Sequence, residues 1–311
     1  MFLTAAYGLG LALWPVIRWG SRGYFAGLGL LAVTPFTPLL IAPEHGKIRA
    51  VACLMAIDLF FRSTDYARQW RQGSLRNPRF IPYFRFLFPF PLFACKFGSV
   101  ARGPRFISEG WPGTVGAGGA VVFWFGFLHW AAGSETLRTS FLLDHTIKFV
   151  TFPMAVGAVA RTLTGVERLA GFRVPPLVHK VWRARTVGSF WQRFNTRVHS
   201  WCSDNIYSGA ARHLSGARPV FLTFFISALL HEIGFAVASS HVDGYQFLFF
   251  MLQAPAVIIW HRADRSLRKS PPGRLVLHAA TFVWFWVTSL FFFRGVDRIF
   301  PLFYVAEPWL P

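Results

Sequence analysis

The chain is 311 residues long, 54% hydrophobic and only 14% charged, with 36 Phe and 13 Trp. That balance excludes an ordinary soluble domain and indicates a polytopic membrane protein. The formal net charge of +19 calls for no nucleic acid, because basic residues of a membrane protein gather on its cytoplasmic side and attract anionic lipid. Cys53, Cys95 and Cys202 have no paired spacing, so neither a disulfide framework nor a metal site is expected.

Residues 2 to 17 are apolar, no basic segment precedes them, and Arg18 and Arg22 follow, which predicts a retained helix rather than a cleaved signal peptide. Further spans are expected at 24 to 43, 50 to 61, 115 to 133, 146 to 160, 219 to 240, 245 to 260 and 275 to 293. The fold class is therefore all-α integral membrane, with about eight transmembrane helices plus interfacial amphipathic helices, in one polytopic domain over residues 1 to 311. Internal repeats are not evident, which argues against an inverted-repeat transporter.

Several ionisable groups fall near these spans. Asp58 lies four residues before Arg62, the spacing of a helical ion pair. His129, Asp144 and His145 sit near span ends and read as structural, while His278 faces a run of aromatics and fits either role. Between residues 62 and 114, a basic polar stretch gives way to IPYFRFLFPFPLFAC, which is aromatic but broken by Pro82, Pro89 and Pro91. A straight spanning helix disfavours those prolines. The segment is expected to lie on the cytoplasmic interface, either as a protein-covered wall of a substrate entrance or as a solvated loop with an aromatic anchor.

Charge tests the layout. With the loop around Arg18 taken as cytoplasmic, 26 of the 32 Lys and Arg residues fall on that side, as the positive-inside rule requires. Both termini then lie on the far side, and the stretch before residue 219 lies on the cytoplasmic face.

The stretch Ser189 to Trp260 carries the chemistry. Ser189 followed by Gln192 is a plausible capping box. In the helix it would start, Trp191, Phe194, Val198 and Trp201 form an apolar stripe facing lipid, Arg193, Arg197 and Ser200 a charged one facing water, and Gln192, Asn195, His199 and Cys202 a neutral polar one facing the protein. An ordinary amphipathic connector would show the same pattern. From Pro219 to Ser240 the ionisable side chains are His231 and Glu232 alone. The His231 face holds Thr223, Ser227, Gly234 and Ala238, a small and partly polar groove. An ionisable group in hydrocarbon marks a functional site by default, and a histidine satisfied between helices is the alternative. HEIGF lacks the second His of a zinc-protease motif, and Glu232 points about 100° away from His231.

FWQRFNTRVHSWC, followed by His231 in an FISALLHE context, resembles the membrane-bound O-acyltransferase (MBOAT) superfamily. The local wording is similar to the diacylglycerol and sterol acyltransferases, where FWQ, Asn, VH and WC recur in that order. The short chain and SALLHEIGF look more like the wax-synthase-like branch. The resemblance is specific over residues 189 to 260 and general elsewhere. No FYxDWWN block precedes Phe190, and Phe194 stands where the diacylglycerol and sterol enzymes usually carry Trp, so the acceptor is more open than the reaction.

By match to the superfamily motif, the signature positions are Asn195 and His231. The resemblance implies acyl transfer from acyl-CoA, a co-substrate rather than a cofactor, to a hydroxyl of a hydrophobic alcohol acceptor. His231 is the expected general base, and Asn195 orients the hydroxyl or the thioester carbonyl. Gln192, His199, Thr223, Ser227 and Gly234 are expected to contact substrate. Arg193 and Arg197, with Arg183 and Arg185, are candidates for the CoA phosphates. No GxSxG elbow is present, which suits direct attack without a covalent intermediate.

The favoured acceptor is a long-chain alcohol or acylglycerol, giving a wax ester or neutral lipid. The alternatives are acetyl transfer to a secondary metabolite or sugar, and a non-enzymatic transporter with His231 as a proton relay. The expected location is a bacterial inner membrane or the endoplasmic reticulum, with the entrance on the cytoplasmic side and lipids as partners. A homodimer is left open.

Overall fold

The computed structural model describes residues 1–75, 79–88, 93–98, 101–103 and 105–299. The described chain is almost wholly helical, and its strands are β1 (Ala101–Arg102) and β2 (Phe172–Arg173), paired antiparallel. Among the described residues, five segments are long and apolar enough to cross a membrane: Phe2–Leu40, Gly110–Ala131, Phe141–Leu169, Arg218–Ser239 and Pro271–Ile299.

The N-terminal segment departs from the expected pair of straight spans. Helix α1 (Phe2–Val16) turns back at Gly20, whose φ of 71° suits a residue without Cβ, into α2 (Gly20–Leu31). The hairpin is tight, since a Cβ on Gly27 would stand 2.6 Å from Leu13 Cδ1. Pro35 and Pro38 then hold Thr34–Leu40 in a 3-10 helix, so the expected span at 24 to 43 is broken. Neither arm alone has the roughly 20 residues a crossing needs.

The expected span at 50 to 61 lies inside α3 (Gly46–Arg71), a longer helix whose charged residues keep it out of the apolar set. Asp58 and Arg62 do form the i,i+4 pair, at 2.6 Å and fully buried. The pair reaches beyond its own helix. Ala94 N–H donates to Asp58 Oδ1 at 2.6 Å, and Arg62 Nη1 donates to the Phe86 carbonyl at 2.7 Å. The aromatic stretch, which contains α4 (Phe80–Leu87), is thereby folded onto α1 and α3, with the Tyr83 hydroxyl donating to the Gly10 carbonyl at 2.5 Å. Protein covers its Tyr83, Phe86 and Leu87 face, while Phe80, Ile81 and Phe84 are exposed; Pro89 and Pro91 fall outside the described residues.

Helix α5 (Arg105–Ala132), the short α6 (Glu135–Thr139) and α7 (Phe141–Leu169) follow, with α5 and α7 packed side by side. His145 is structural, its Nε2 against the Trp286 carbonyl at 2.7 Å, and Asp144 pairs with Lys148 at 2.8 Å. Two short helices, α8 (Val187–Phe194) and α9 (Thr196–Cys202), lead through a π turn at Ser203–Tyr207 and α10 (Ser208–Ala210) to α11 (Arg218–Ser239), α12 (Tyr245–Leu267) and α13 (Pro271–Ile299). Helix α11 packs against α3 and α12, and α12 against α13. His278 on α13 is half-buried with Nδ1 on the Ala184 carbonyl at 2.8 Å, so it pins the approach to α8.

Removing one member of the Asp58–Arg62 pair leaves a charge stranded in the interior. Asp58→Ala is expected to lower unfolding stability by about 3–5 kcal/mol. In thermal unfolding of the detergent-solubilised protein, Asp58→Leu combined with Arg62→Met should recover most of that loss.

Candidate functional site

The expected single helix with three stripes is two helices broken at Asn195. The first begins earlier than Ser189. Thr186 is the N-cap, and it forms the capping box with Ser189: Ser189 N–H donates to Thr186 Oγ1 at 3.0 Å and Thr186 N–H to Ser189 Oγ at 3.1 Å. Asn195 ends α8 at φ −142° and ψ 84°, values outside the helical region, and then caps α9 by accepting from Val198 N–H through Oδ1 at 3.2 Å. This bond decides which way the amide points. Its oxygen is committed to the helix, and its Nδ2 is a donor with no partner among the described residues.

The break turns the stripes. Phe190, Trp191 and Phe194 pack inward with Phe249, Phe250 and Phe285 of α12 and α13, while Val198 and Trp201 pack with Phe61 of α3 and Leu230 of α11. The apolar stripe thus faces protein, not lipid. Arg197 does not face water either. It is 3% exposed, its guanidinium grips Glu167 of α7 through two bonds of 2.7 and 2.5 Å, and it also donates to the Pro175 and Phe93 carbonyls. No donor group is left for a phosphate. Arg183 and Arg185 are exposed and Arg193 is half-buried, and none of the three has a carboxylate partner among the described residues. Gln192 and His199 are exposed, and neither side chain has a hydrogen-bond partner among the described residues.

His231 stands near the middle of α11. Its Nδ1 lies 2.8 Å from the Ser227 carbonyl. A carbonyl can only accept, so Nδ1 carries the proton and Nε2 keeps a free lone pair. One ring face is covered by Phe250, stacked at 3.7 Å and 26°. Phe250 also meets Trp191 at 5.3 Å. Both signature elements therefore reach the surroundings of His231. Trp191, four residues before Asn195, reaches the ring that stacks on His231, and Val198, three residues after it, shares a cluster with Leu230, the neighbour of His231.

The rest of the His231 face is less open than its small residues suggest. Gly234 is where α3 packs, since a Cβ there would stand 3.3 Å from Ile57 Cδ1. Thr223 and Ser227 are half-buried, and the Thr223 hydroxyl donates to the Pro219 carbonyl at 2.8 Å. Glu232 serves the next helix. Its carboxylate accepts from Gly244 N–H at 2.9 Å and Phe247 N–H at 3.0 Å, and so caps α12, whose positive end favours a negative charge. Burial pushes the Cys202 thiol up to about 12, so at neutral pH it is not a thiolate nucleophile.

Sequence reasoning did not pick out Phe250, Glu167 or Thr186. Thr186 was legible as a Thr-x-x-Ser capping pattern, whereas nothing in the sequence couples Phe250 to His231 or Glu167 to Arg197. Among the described residues no cluster of His, Cys, Asp and Glu could hold a metal ion.

Residues 122–292 match the model of the membrane-bound O-acyltransferase family. The chain is 31% identical over 96 residues to diacylglycerol O-acyltransferase 1-1 of Oryza sativa subsp. japonica, covering 30% of this chain and 18% of that protein. It is 32% identical over 96 residues to diacylglycerol O-acyltransferase 1B of Glycine max, covering 30% and 19%. A probable sterol O-acyltransferase 2 of Schizosaccharomyces pombe is 26% identical over 124 residues, covering 38% and 26%. The chain spans only about a fifth to a quarter of the length of these curated relatives.

If Arg197 is structural, Arg197→Gln should destabilise the protein by about 3–5 kcal/mol by leaving Glu167 buried and unpaired. The thermal unfolding midpoint reads this out, and adding acyl-CoA should not be needed to see it. Arg193→Gln should leave the midpoint unchanged.

Proposed function

Because the chain belongs to the membrane-bound O-acyltransferase family, we propose that it is an acyl-CoA-dependent O-acyltransferase that esterifies a hydroxyl of a hydrophobic acceptor. The observation that carries the reading is the pairing of a lone-pair nitrogen with an oriented amide donor. His231 holds its proton on Nδ1 against Ser227, and Asn195 holds its oxygen on Val198. What remains free is one base and one donor, on elements that meet around Phe250.

The step balances without a covalent enzyme intermediate. The acceptor hydroxyl gives its proton to His231 Nε2 while its oxygen attacks the thioester carbonyl carbon. Asn195 Nδ2 donates to the developing oxyanion. Collapse breaks the carbon–sulfur bond, and the departing CoA thiolate takes the proton from Nε2. The products are an ester and CoA-SH. No cysteine or serine nucleophile is required, which agrees with the protonated state of Cys202.

Acyl-CoA enters from the cytoplasmic side in this reading, where Arg183, Arg185 and Arg193 have no carboxylate partner among the described residues and Gln192 and His199 are exposed beside the Asn195 break. Arg197 and Gly234 drop out as substrate contacts, because one is bound to Glu167 and the other packs on Ile57. Ser227 and Thr223 keep the contact role on the His231 face. The relatives' names favour an acylglycerol or sterol hydroxyl over other acceptors, and a long-chain alcohol giving a wax ester is the finer proposal within the same class.

The test uses membranes supplied with labelled acetyl-, octanoyl- and palmitoyl-CoA and a panel of alcohols, diacylglycerols and sterols. Ester should form with a long-chain donor and vanish in His231→Ala. Asn195→Asp keeps an oxygen to cap α9 but has no N–H to donate, so the protein should fold normally while kcat falls about 10²- to 10³-fold. Undiminished turnover in Asn195→Asp would remove the oxyanion role, and undiminished turnover in His231→Ala would remove the base. Proton- or solute-linked flux without any acyl-CoA would favour the transporter instead.

A further inference from the structure

A second concave site lies on the α5–α7 hairpin. The two helices press together where Gly110 meets Gly165, since a Cβ on Gly110 would stand 2.7 Å from the Gly165 carbonyl oxygen. At Gly113, close by on α5, nothing lies within 4 Å of where a Cβ would be. The missing side chain opens a cleft of about 150 Å³ between α5, α7 and residues 176–178, with apolar walls that include Gly113, Leu177 and Val178.

The rim is cationic. Arg161 and Arg168 line the cleft from α7, with Thr164 and Gly165 between them. Their spacing of seven residues puts them on one face, roughly 10 Å apart along the axis. Arg161 is exposed and Arg168 half-buried, and neither guanidinium has an acceptor among the described residues. Arg197 is by contrast held by Glu167. From Gly113 the same face of α5 continues through Gly116, Ala120 and Phe127, small or apolar residues that are exposed or half-buried.

A ligand that suits these features has a phosphate at the end of an apolar chain and reaches the site from the bilayer. We infer that the α5–α7 cleft binds an anionic glycerophospholipid, its phosphate on Arg161 and Arg168 and its first acyl carbons along Gly113, Leu177 and Val178. The remaining chain runs on along the Gly113 face of α5, over Gly116 and Ala120. Unpaired positive charge at the end of a membrane-crossing helix is the complement of an anionic headgroup. The site goes beyond the transfer reaction and does not depend on it. It does touch the same framework, because Thr196 N–H donates to the Leu177 carbonyl at 2.8 Å and the Thr196 hydroxyl to the Pro176 carbonyl at 2.6 Å.

Native mass spectrometry of the detergent-solubilised full chain tests this, with phosphatidylglycerol, phosphatidylcholine and free CoA as probes. Phosphatidylglycerol should be retained and phosphatidylcholine lost. Arg161→Gln with Arg168→Gln should weaken phosphatidylglycerol binding on the order of thirtyfold, from the loss of two basic side chains at an anionic headgroup. The lipid-free melting temperature should stay the same, since neither guanidinium has a bonded partner among the described residues. Arg212→Gln with Arg268→Gln, two exposed basic residues elsewhere, should leave binding intact. Equal retention of both lipids, unchanged binding in the first double variant, or an equal loss in the second would overturn the site. Displacement of the lipid by free CoA would overturn it too, and would assign these arginines to the acyl donor.

Discussion

Arg197 and Glu167 hold together stretches that are far apart in the chain. The guanidinium bonds both carboxylate oxygens of Glu167 on α7, the Pro175 carbonyl in the segment before α8, and the Phe93 carbonyl at the end of the aromatic wall. Each of the three guanidinium nitrogens is bonded, which helps make a buried ion pair tolerable in a low-dielectric interior. The position of α9 follows from it, because Arg197 is the second residue of that helix. Across the break at Asn195, Trp191 packs on Phe250 while Arg197 reaches Glu167.

Around His231, the same demand that buried polar groups be satisfied separates two adjacent acidic and basic side chains into different tasks. Glu232 is spent on the N-terminus of α12, where it accepts three backbone N–H groups. It therefore does not pair with the imidazole. His231 instead bonds the carbonyl one turn back and stacks on an aromatic ring. The carbonyl and the benzene ring fix the orientation of the imidazole and leave Nε2 open. Asn195 is treated in the same way, with one end of its amide held by the helix and the other end free. Both groups are oriented by backbone rather than by other titratable side chains.

Much of this was legible from residues alone. Long apolar runs located α5, α7, α11 and α13 because hydrocarbon demands length and internal hydrogen bonding. The Asp58–Arg62 pair followed from helical spacing. The reading failed where a helix was assumed to continue. Nothing in helical periodicity reveals that Asn195 will cap rather than sit on a face, so the stripe drawn through it misassigned Arg197 to water and Trp191 to lipid. The N-terminal region failed for a related reason: hydropathy sees residues 24 to 43 as one apolar run, but Pro35 and Pro38 deny it helical hydrogen bonds. Small residues misled at Gly234, where the absent side chain makes room for Ile57 rather than for a substrate.

Basic residues in this chain consequently fall into populations that their sequence positions do not separate. Arg49, Arg62 and Arg197 are buried and bonded to protein: Arg49 to the Ile41 carbonyl and Ser240, Arg62 to Asp58 and the Phe86 carbonyl, Arg197 to Glu167. Arg161, Arg183, Arg185 and Arg193 retain free guanidinium groups among the described residues. Only the second population can answer to an anionic lipid or to CoA, and it divides again by place. Arg183, Arg185 and Arg193 stand near the Asn195 break in the chain, whereas Arg161, with the half-buried Arg168, lines the α5–α7 cleft.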